Sequence, residues 1–70
     1  MVEIKYVKDI DVLNIELQEG KFEYSEEIGE GVILDLGQNG DILSIEIIDA
    51  TKRLGKEVAD KITQRYLTVA

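Results

Sequence analysis

The sequence predicts an α+β fold in which a mainly antiparallel five-stranded β-meander carries one C-terminal amphipathic helix packed on one face. Three observations predict it. Apolar residues alternate with polar ones through the first 49 residues, a period of two that is typical of half-buried strands. After residue 49 the apolar residues recur at helical spacing. Between two alternating runs, the pair Asn39-Gly40 is the strongest short signal for a β-hairpin.

Five runs are predicted as strands and one stretch as a helix, all in a single domain over 1–70. The strands are expected at about 2–7, 12–18, 22–28, 32–37 and 42–48, and the helix at about 56–67. A turn over 50–54 precedes the helix, with Asp49 and Thr51 both as candidate N-caps. The apolar stripe of the helical segment consists of Leu54, Val58, Ala59, Ile62, Tyr66 and Val69.

Two connections are read as two-residue turns, and each implies a register. Across Asn39-Gly40 the expected pairs are all apolar: Val32–Ile47, Leu34–Ile45 and Leu36–Leu43. A turn at Glu19-Gly20 makes the second and third strands neighbours and sets Glu16 against Glu23. Such a like-charge pair costs a few tenths of a kcal/mol, which Lys5 on the neighbouring strand would offset.

The other two connections are longer. The loop 8–11 is expected to set Tyr6 against Leu13 and Ile4 against Ile15. The loop 29–31 contains two glycines and is expected to place Ile28 opposite Val32. In the strand between 22 and 28, strict alternation sends Glu26 to the core face, so either a bulge redirects it or it lies beyond the helix.

The composition excludes several classes of protein. Eight basic and fifteen acidic residues give a net charge of −7, and the chain contains no His, Cys, Pro or Trp. Disulfide frameworks, thiol nucleophiles, Cys/His zinc sites and Ser-His triads are therefore excluded. An acidic surface repels phosphates, so nucleic acid is not an expected partner. No membrane span or signal peptide is visible, so we expect a cytoplasmic protein.

The charge is unevenly distributed along the chain. Residues 1–49 carry three basic and thirteen acidic residues, a net of −10, whereas residues 50–70 carry five basic and two acidic residues, a net of +3. The change coincides with the change in hydrophobic period. We therefore expect a basic C-terminal segment that packs on an acidic sheet and partly neutralises it; a basic patch for an acidic partner is the alternative.

Carboxylates dominate the predicted outer face of the sheet, where a cluster could hold a divalent cation or perform acid-base chemistry. They are Glu3, Glu16, Glu23, Asp35 and Glu46. A solvated outer face is the simpler interpretation, because no pair has a recognisable catalytic spacing. We assign no catalytic, cofactor-binding or metal-binding residue and expect no cofactor.

One segment partly matches the EF-hand calcium loop. Positions 1, 5, 6, 8 and 12 of that loop correspond to Asp35, Asn39, Gly40, Ile42 and Glu46. Position 3 is Gly37, which has no side-chain ligand, and the flanks alternate as strands where an EF-hand needs helices. A plain Asn-Gly hairpin explains the same residues.

Aromatic residues could form a base-stacking platform on the sheet, as in RNA-binding folds. By alternation, Tyr6, Phe22 and Tyr24 share the face that the helix should cover. We therefore expect these three side chains in the core.

The chain also holds more apolar residues than one sheet face and one helix can bury. On the face away from the helix, alternation places Val7, Val12, Ile28, Ile33, Ile42 and Ile48. Such a patch is large enough to bind another copy, and a symmetric dimer is the commonest solution. We expect a homodimer, with a different protein covering the patch as the alternative.

Two segments carry a resemblance to a known family. They are GVILDLGQNGDILSIEIIDATKRL over 31–54 and IKYVKDIDVLNIEL over 4–17. The chain resembles the domain of unknown function 2283 family of small prokaryotic proteins. Its recurrent positions are occupied here by Asp35, Gly40, Glu46, Asp49, Ala50 and Thr51. The resemblance implies a small α+β domain and brings no established activity, substrate or cofactor.

Two functions from different classes follow as expectations. The first is a non-enzymatic protein-interaction or regulatory module, the acidic half of a pair with a basic partner. The second is a small carboxylate-based metal-binding module or enzyme. The absence of His and Cys and the lack of a catalytic spacing favour the first.

Overall fold

The computed structural model describes residues 2–68 and confirms the α+β class. Along the chain lie β1 (Glu3–Val7), β2 (Val12–Glu16), β3 (Phe22–Gly29), β4 (Val32–Gly37), β5 (Ile42–Ile48), α1 (Ala50–Leu54), α2 (Lys56–Tyr66) and β6 (Leu67–Thr68). The predicted strands and the predicted helix are all present, and the turn expected over 50–54 is the short helix α1. The parallel strand β6 was not predicted, and Val69 of the predicted helical stripe lies outside the described residues. None of the helices in residues 2–68 is both long and apolar enough to cross a membrane.

The predicted meander order is wrong. The strands follow the order β3-β4-β5-β2-β1-β6, so β2 pairs with β5 and β3 forms the far edge of the sheet. All neighbouring pairs are antiparallel except β1 and β6. Strands β2 to β5 form a Greek key, because β2 returns beside the last strand of a three-stranded meander.

The side chains explain why β2 pairs with β5. This ladder brings apolar residues together in three pairs: Val12–Ile48, Leu13–Ile47 and Ile15–Ile45. It also places Glu16 opposite Ser44, whereas the predicted Glu19-Gly20 hairpin would have placed Glu16 opposite Glu23. The observed order therefore gains cross-strand apolar contacts and avoids a second like-charge pair for Glu16, which already lies opposite Glu3.

The segment 17–21 crosses from β2 to β3 over the end of β5. The backbone amides of Leu17 and Gln18 donate to the carbonyl oxygen of Leu43 at 2.8 and 3.3 Å. A Cβ atom on Gly20 would lie 2.7 Å from Leu43 Cδ2, so Gly20 packs closely on the Leu43 side chain and does not form a tight turn. Leu43 is the extra residue of a β-bulge, and the predicted Leu36–Leu43 pair is replaced by Leu36–Ile42.

The Asn39-Gly40 turn has the predicted geometry. Asn39 has φ 64° and Gly40 has φ 78°, and the Asp41 amide donates to the Gln38 carbonyl at 3.4 Å. Both central residues are thus left-handed, as a type I′ turn requires.

Four predicted cross-strand pairs are confirmed: Val32–Ile47, Leu34–Ile45, Ile4–Ile15 and Tyr6–Leu13.

The β3–β4 connection is shorter than predicted. Gly29 pairs with Val32, and the register shifts between Glu27 and Gly29. Ile28 is therefore an unpaired bulge residue and not the partner of Val32.

Arg53 of α1 holds the β3–β4 turn. Arg53 Nε donates to the Ile48 carbonyl at 3.0 Å, and Arg53 Nη2 lies 3.8 Å from Glu30 Oε1. The guanidinium packs so closely on Gly31 that a Cβ atom there would lie 2.4 Å from Nε. The basic segment thus contacts one carboxylate of the acidic half of the chain, in the β3–β4 turn.

The core lies between the helices and the β1 side of the sheet. Tyr6, Leu13, Ala50 and Ile62 form its buried cluster. Helix α2 contacts mainly α1, β1 and β6 and does not extend to β3, whose eight residues are all exposed. The prediction that Phe22 and Tyr24 lie in the core is therefore wrong, because β3 occupies the edge that the helix does not reach. Tyr6 alone of the three aromatic residues is buried.

Asp11 joins the β1–β2 connection to the start of α1. Its carboxylate accepts hydrogen bonds from the Tyr6 hydroxyl at 2.7 Å, the Thr51 amide at 3.2 Å and the Thr51 hydroxyl at 2.8 Å. Its carbonyl accepts one from the Ala50 amide at 3.0 Å. Asp49 occupies the N-cap position of α1 but its side chain makes no capping bond. Asp11 therefore caps the helix from 40 residues away, and neither predicted N-cap does so.

These contacts shift the pKa values of the Asp11 carboxyl group and the Tyr6 hydroxyl group. Burial raises the pKa of Asp11, but hydrogen bonds from Tyr6 and Thr51 outweigh it and leave the pKa below its ordinary value of 3.8. The hydrogen bond to Asp11, together with burial, raises the pKa of Tyr6 to about 12. Asp11 is thus held as a carboxylate and Tyr6 as a neutral hydroxyl.

We predict that Asp11→Asn lowers the free energy of unfolding by about 1 to 3 kcal/mol, because hydrogen bonds to a charged carboxylate are lost. Asp49→Asn is the matched control, since both residues have positive φ and Asn tolerates that region. It should change the stability by less than about 0.5 kcal/mol. Urea denaturation at pH 7 measures both.

The same pair of variants tests the pH dependence. Because the pKa of Asp11 is lowered on folding, its contribution is present above pH 3.8 and lost as the pH falls through the folded value. The difference between Asp11→Asn and the unmodified protein should therefore shrink on acidification below pH 3.8. A difference that stays constant with pH would mean that the carboxylate charge is not what caps α1.

A further prediction concerns the Asn39-Gly40 turn. Gly40→Val should lower the stability by about 1 to 3 kcal/mol, because a β-branched residue is strained at positive φ. A Cβ atom meets no neighbour within 4 Å at either Gly40 or Gly29, but only Gly40 has positive φ. Gly29→Val is therefore the control for side-chain bulk. Equal urea midpoints for the two variants would contradict the type I′ turn.

Candidate functional site

A group of polar side chains lies together on the outer face of the sheet, the face away from the helices. We call Ser25, Asp35, Ser44 and Glu46 the carboxylate cluster. Asp35 lies between Ser25 of β3 and Ser44 of β5 in the strand ladders. Both serine hydroxyls donate to its carboxylate, each at 2.7 Å. Ser44 is only 8% exposed, so the cluster is an ordered part of the sheet surface.

The two acids of the cluster have pKa values shifted in opposite directions. Burial raises the pKa of Asp35, but hydrogen bonds from Ser25, Ser44 and Glu46 leave it below its ordinary value. A hydrogen bond to Asp35, followed by burial and charge repulsion, raises the pKa of Glu46. When Glu46 is protonated, it therefore donates to the Asp35 carboxylate.

Asn14 lies beside this pair, opposite Glu46 in the β2–β5 ladder. Its Oδ1 atom is buried and has no hydrogen-bond partner among the described residues. An unpaired buried acceptor costs free energy. The sequence analysis missed Asn14, Ser25 and Ser44, because a lone polar residue in an alternating run carries no signal until its strand neighbours are known.

The other predicted carboxylates lie elsewhere. Glu3 and Glu16 are opposite each other on β1 and β2, with Lys5 Nζ 3.4 and 3.8 Å from their carboxylates. They line a shallow depression of about 380 Å³ together with Gln18 and Glu19. Glu23 lies at a second bulge of β3, between Phe22 and Tyr24.

Within the described chain, no group of three or more Asp or Glu side chains is arranged to hold a metal ion. The partial EF-hand pattern lies on β4, the turn and β5, so the segment is a β-hairpin, as its alternating flanks predict. Asp35 and Glu46 are brought together by strand pairing and not by a calcium loop.

A second surface lies along β3. It contains exposed apolar side chains, and we call Phe22, Tyr24 and Ile28 the β3 surface. Their exposed fractions are 57, 50 and 58%. The sequence contained a signal for this surface, because glutamates interspersed with aromatic residues are typical of an exposed edge strand.

The six-residue patch from which we predicted a dimer is divided in the structure. Val7, Val12 and Ile48 are cross-strand neighbours on β1, β2 and β5 and form an apolar row on the outer face. Ile33 lies beside Glu46. The bulge at Leu43 pairs Ile42 with Leu36, and Ile28 is unpaired on β3. No single patch therefore contains all six residues.

We predict that Glu46→Gln stabilises the protein at pH 7 by up to about 1 kcal/mol, because an amide donates to Asp35 without adding a second charge. Because the pKa of Glu46 is raised on folding, its charge costs stability as the pH rises through the folded value. The gain should therefore vanish below pH 4.5, the ordinary pKa.

Thermal melts across this pH range test the prediction. Glu57→Gln on the exposed face of α2 is the control and should leave the melting temperature nearly unchanged at every pH. A destabilised Glu46→Gln at pH 7 would show that the Glu46 carboxylate itself supports the sheet.

Comparison with known proteins adds one finding. A family model described as Protein of unknown function (DUF2283) matches residues 3–50, a span that includes β1 to β5, Asp11, the carboxylate cluster and β3. No curated protein and no solved structure matches the chain. Because the match covers more than half of the 70 residues, the chain belongs to the DUF2283 family.

Proposed function

We propose that this protein is a non-enzymatic protein-interaction module and that its partner binds at β3. The observation that carries this proposal is the β3 surface, where two aromatic side chains and one aliphatic side chain are 50 to 58% exposed. Aromatic residues are enriched in the centres of protein interfaces. A cytoplasmic location, expected from the sequence, is part of the same proposal.

The position of β3 supports an interaction role. Among residues 2–68 it pairs with β4 alone, at the end of the sheet. Its eight residues are exposed, so mutation of its side chains should alter binding with little effect on the core. Surfaces of this kind, apolar and next to an unpaired strand edge, are places where another chain gains both side-chain and backbone contacts.

The carboxylate cluster is the basis of a second candidate, a carboxylate-based metal site or enzyme. The opposite pKa shifts of Asp35 and Glu46 are the kind of separation that acid-base sites use. Against it, both Asp35 oxygens already accept hydrogen bonds from serines, and among the described residues no third carboxylate joins the pair to hold a metal ion.

Thermal melts separate the two candidates. With millimolar calcium or magnesium at constant ionic strength, and with excess EDTA, we expect the melting temperature to stay within about 1 °C. A rise of many degrees with either cation, abolished by Glu46→Gln, would favour the carboxylate site.

The interaction role is tested with Phe22→Ser/Tyr24→Ser and the control Val58→Ser, which removes an apolar side chain that is 46% exposed on α2. Tagged proteins are used to capture partners from a lysate of the native cells. We expect a protein retained by the unmodified chain and the control but lost from the double variant. Equal capture by all three would place the interaction elsewhere.

Light scattering over a range of concentrations tests the homodimer expected from the sequence. A dimer that persists in Phe22→Ser/Tyr24→Ser would assign self-association to another surface, such as the row of Val7, Val12 and Ile48. A dimer lost in that variant would make a second copy the occupant of β3. A mass of 7.9 kDa at high concentration would reject the dimer.

A further inference from the structure

We propose that the free edge of β3 accepts an extended basic segment of a partner protein, which adds to the sheet as a further strand. This inference rests on the proposed interaction function and specifies the chemistry and geometry of the partner.

The edge itself is free, and its regular part lies between two bulges. Within residues 2–68, β3 is the terminal strand of the six-stranded sheet and hydrogen-bonds only with β4. It contains eight residues, Phe22–Gly29, all of them exposed, and none belongs to the buried core. The register shifts between Phe22 and Tyr24 and between Glu27 and Gly29, so the regular edge is the run 24–27, a length within the usual range of strands.

The charge of β3 selects the partner. It contains Glu23, Glu26 and Glu27 and no basic residue, and Glu30 follows in the turn. Within residues 2–68, no lysine or arginine lies within ion-pair distance of the three β3 carboxylates. An added strand with basic side chains at the facing positions would supply the missing opposite charges.

The same charge argues against a second copy at this edge. Two β3 strands paired with each other would gather six carboxylates, three from each chain, on two neighbouring strands, where like charges are destabilising. The whole protein carries a net charge of −7, which adds long-range repulsion. A basic segment of a different protein meets neither of these repulsions.

The side chains of β3 also specify an order along the added strand. Tyr24 and Glu26 pair with Leu36 and Leu34, two residues apart on β4, and so share one face. Glu27 and Ser25 pair with Ile33 and Asp35 on the other face.

Phe22 pairs with Gly37 and so lies on the same face as Glu27. Each face thus presents an aromatic ring near the start of β3 and a carboxylate near its end. The segment that fits has two successive basic residues at one end and apolar residues at the other.

For antiparallel addition the basic residues come first. A synthetic peptide, acetyl-TKRTVVT-amide, has this order and serves as the probe. Two control peptides separate the contributions. In one, the backbone nitrogens of alternate residues are methylated, which removes ladder hydrogen bonds and keeps the charge. In the other, the basic pair is replaced by two glutamates.

Binding is measured by fluorescence anisotropy and located by amide chemical shifts. Glu26→Lys/Glu27→Lys reverses the charge of β3, and Glu57→Lys/Asp60→Lys makes the same net change on the exposed face of α2. Circular dichroism establishes that each variant is folded.

We expect saturable binding of the probe at one site, with chemical-shift changes concentrated in β3. The affinity should fall about tenfold or more in the β3 variant and with the methylated peptide. It should fall less than about threefold in the α2 variant, which reports long-range charge alone.

Three results would overturn the proposal. Equal binding of the methylated peptide would show charge attraction without strand addition. Equal losses in the two charge-reversed variants would show that only net charge matters. No binding of the probe at millimolar concentration would mean that the glutamates protect β3 from pairing. After any of these results, the interaction function would still be supported if the unmodified protein captures a partner that Phe22→Ser/Tyr24→Ser does not capture.

Discussion

The carboxylate of Asp11 connects the two halves of this fold. It lies in the β1–β2 connection, accepts hydrogen bonds from Tyr6 and Thr51, and so joins the sheet to the start of α1. The backbone carbonyl of the same residue accepts from Ala50, which is only 1% exposed. Without this cap, the buried amides at the start of α1 would lose their partners. The helix that covers the core would then have no defined starting point.

The small size of the core makes this connection important. Seven hydrophobic residues among those described are buried, and no large side chain is fully buried. A 70-residue chain has little apolar area to bury against the entropy of folding. Directional contacts at the ends of elements, such as the Asp11 cap and the Arg53 contacts with Ile48 and Glu30, therefore make up a larger share of what defines the structure.

The Greek-key order decides which surfaces are free. Because β2 pairs with β5, the helices cover the β1–β2 side and β3 is displaced to the far edge. In the meander predicted from the sequence, β3 would have been the middle strand, with Phe22 and Tyr24 beneath the helix. The same residues thus change from core to surface through strand order alone. The proposed function depends on this difference.

The sequence by itself determined five of the strands, the long helix and the turn at Asn39-Gly40. Its periods identified five strands and the long helix, and Asn39-Gly40 identified the hairpin with both central residues at positive φ. These features depend on residues close together in the chain, whose preferences are local. The acidic composition and the family resemblance were also evident without a structure. Asp35 and Glu46 were both identified as outer-face carboxylates, but only as part of a general acidic face.

The tertiary structure decided which distant segments meet. The β2–β5 pairing, the capping of α1 by Asp11 from 40 residues away, and the two serines around Asp35 all join residues that no local pattern relates. Such contacts are selected by the free energy of the whole arrangement, in which apolar pairs on β2 and β5 outweighed a short turn at Glu19-Gly20. For that reason the candidate sites became visible only once the strand order was known.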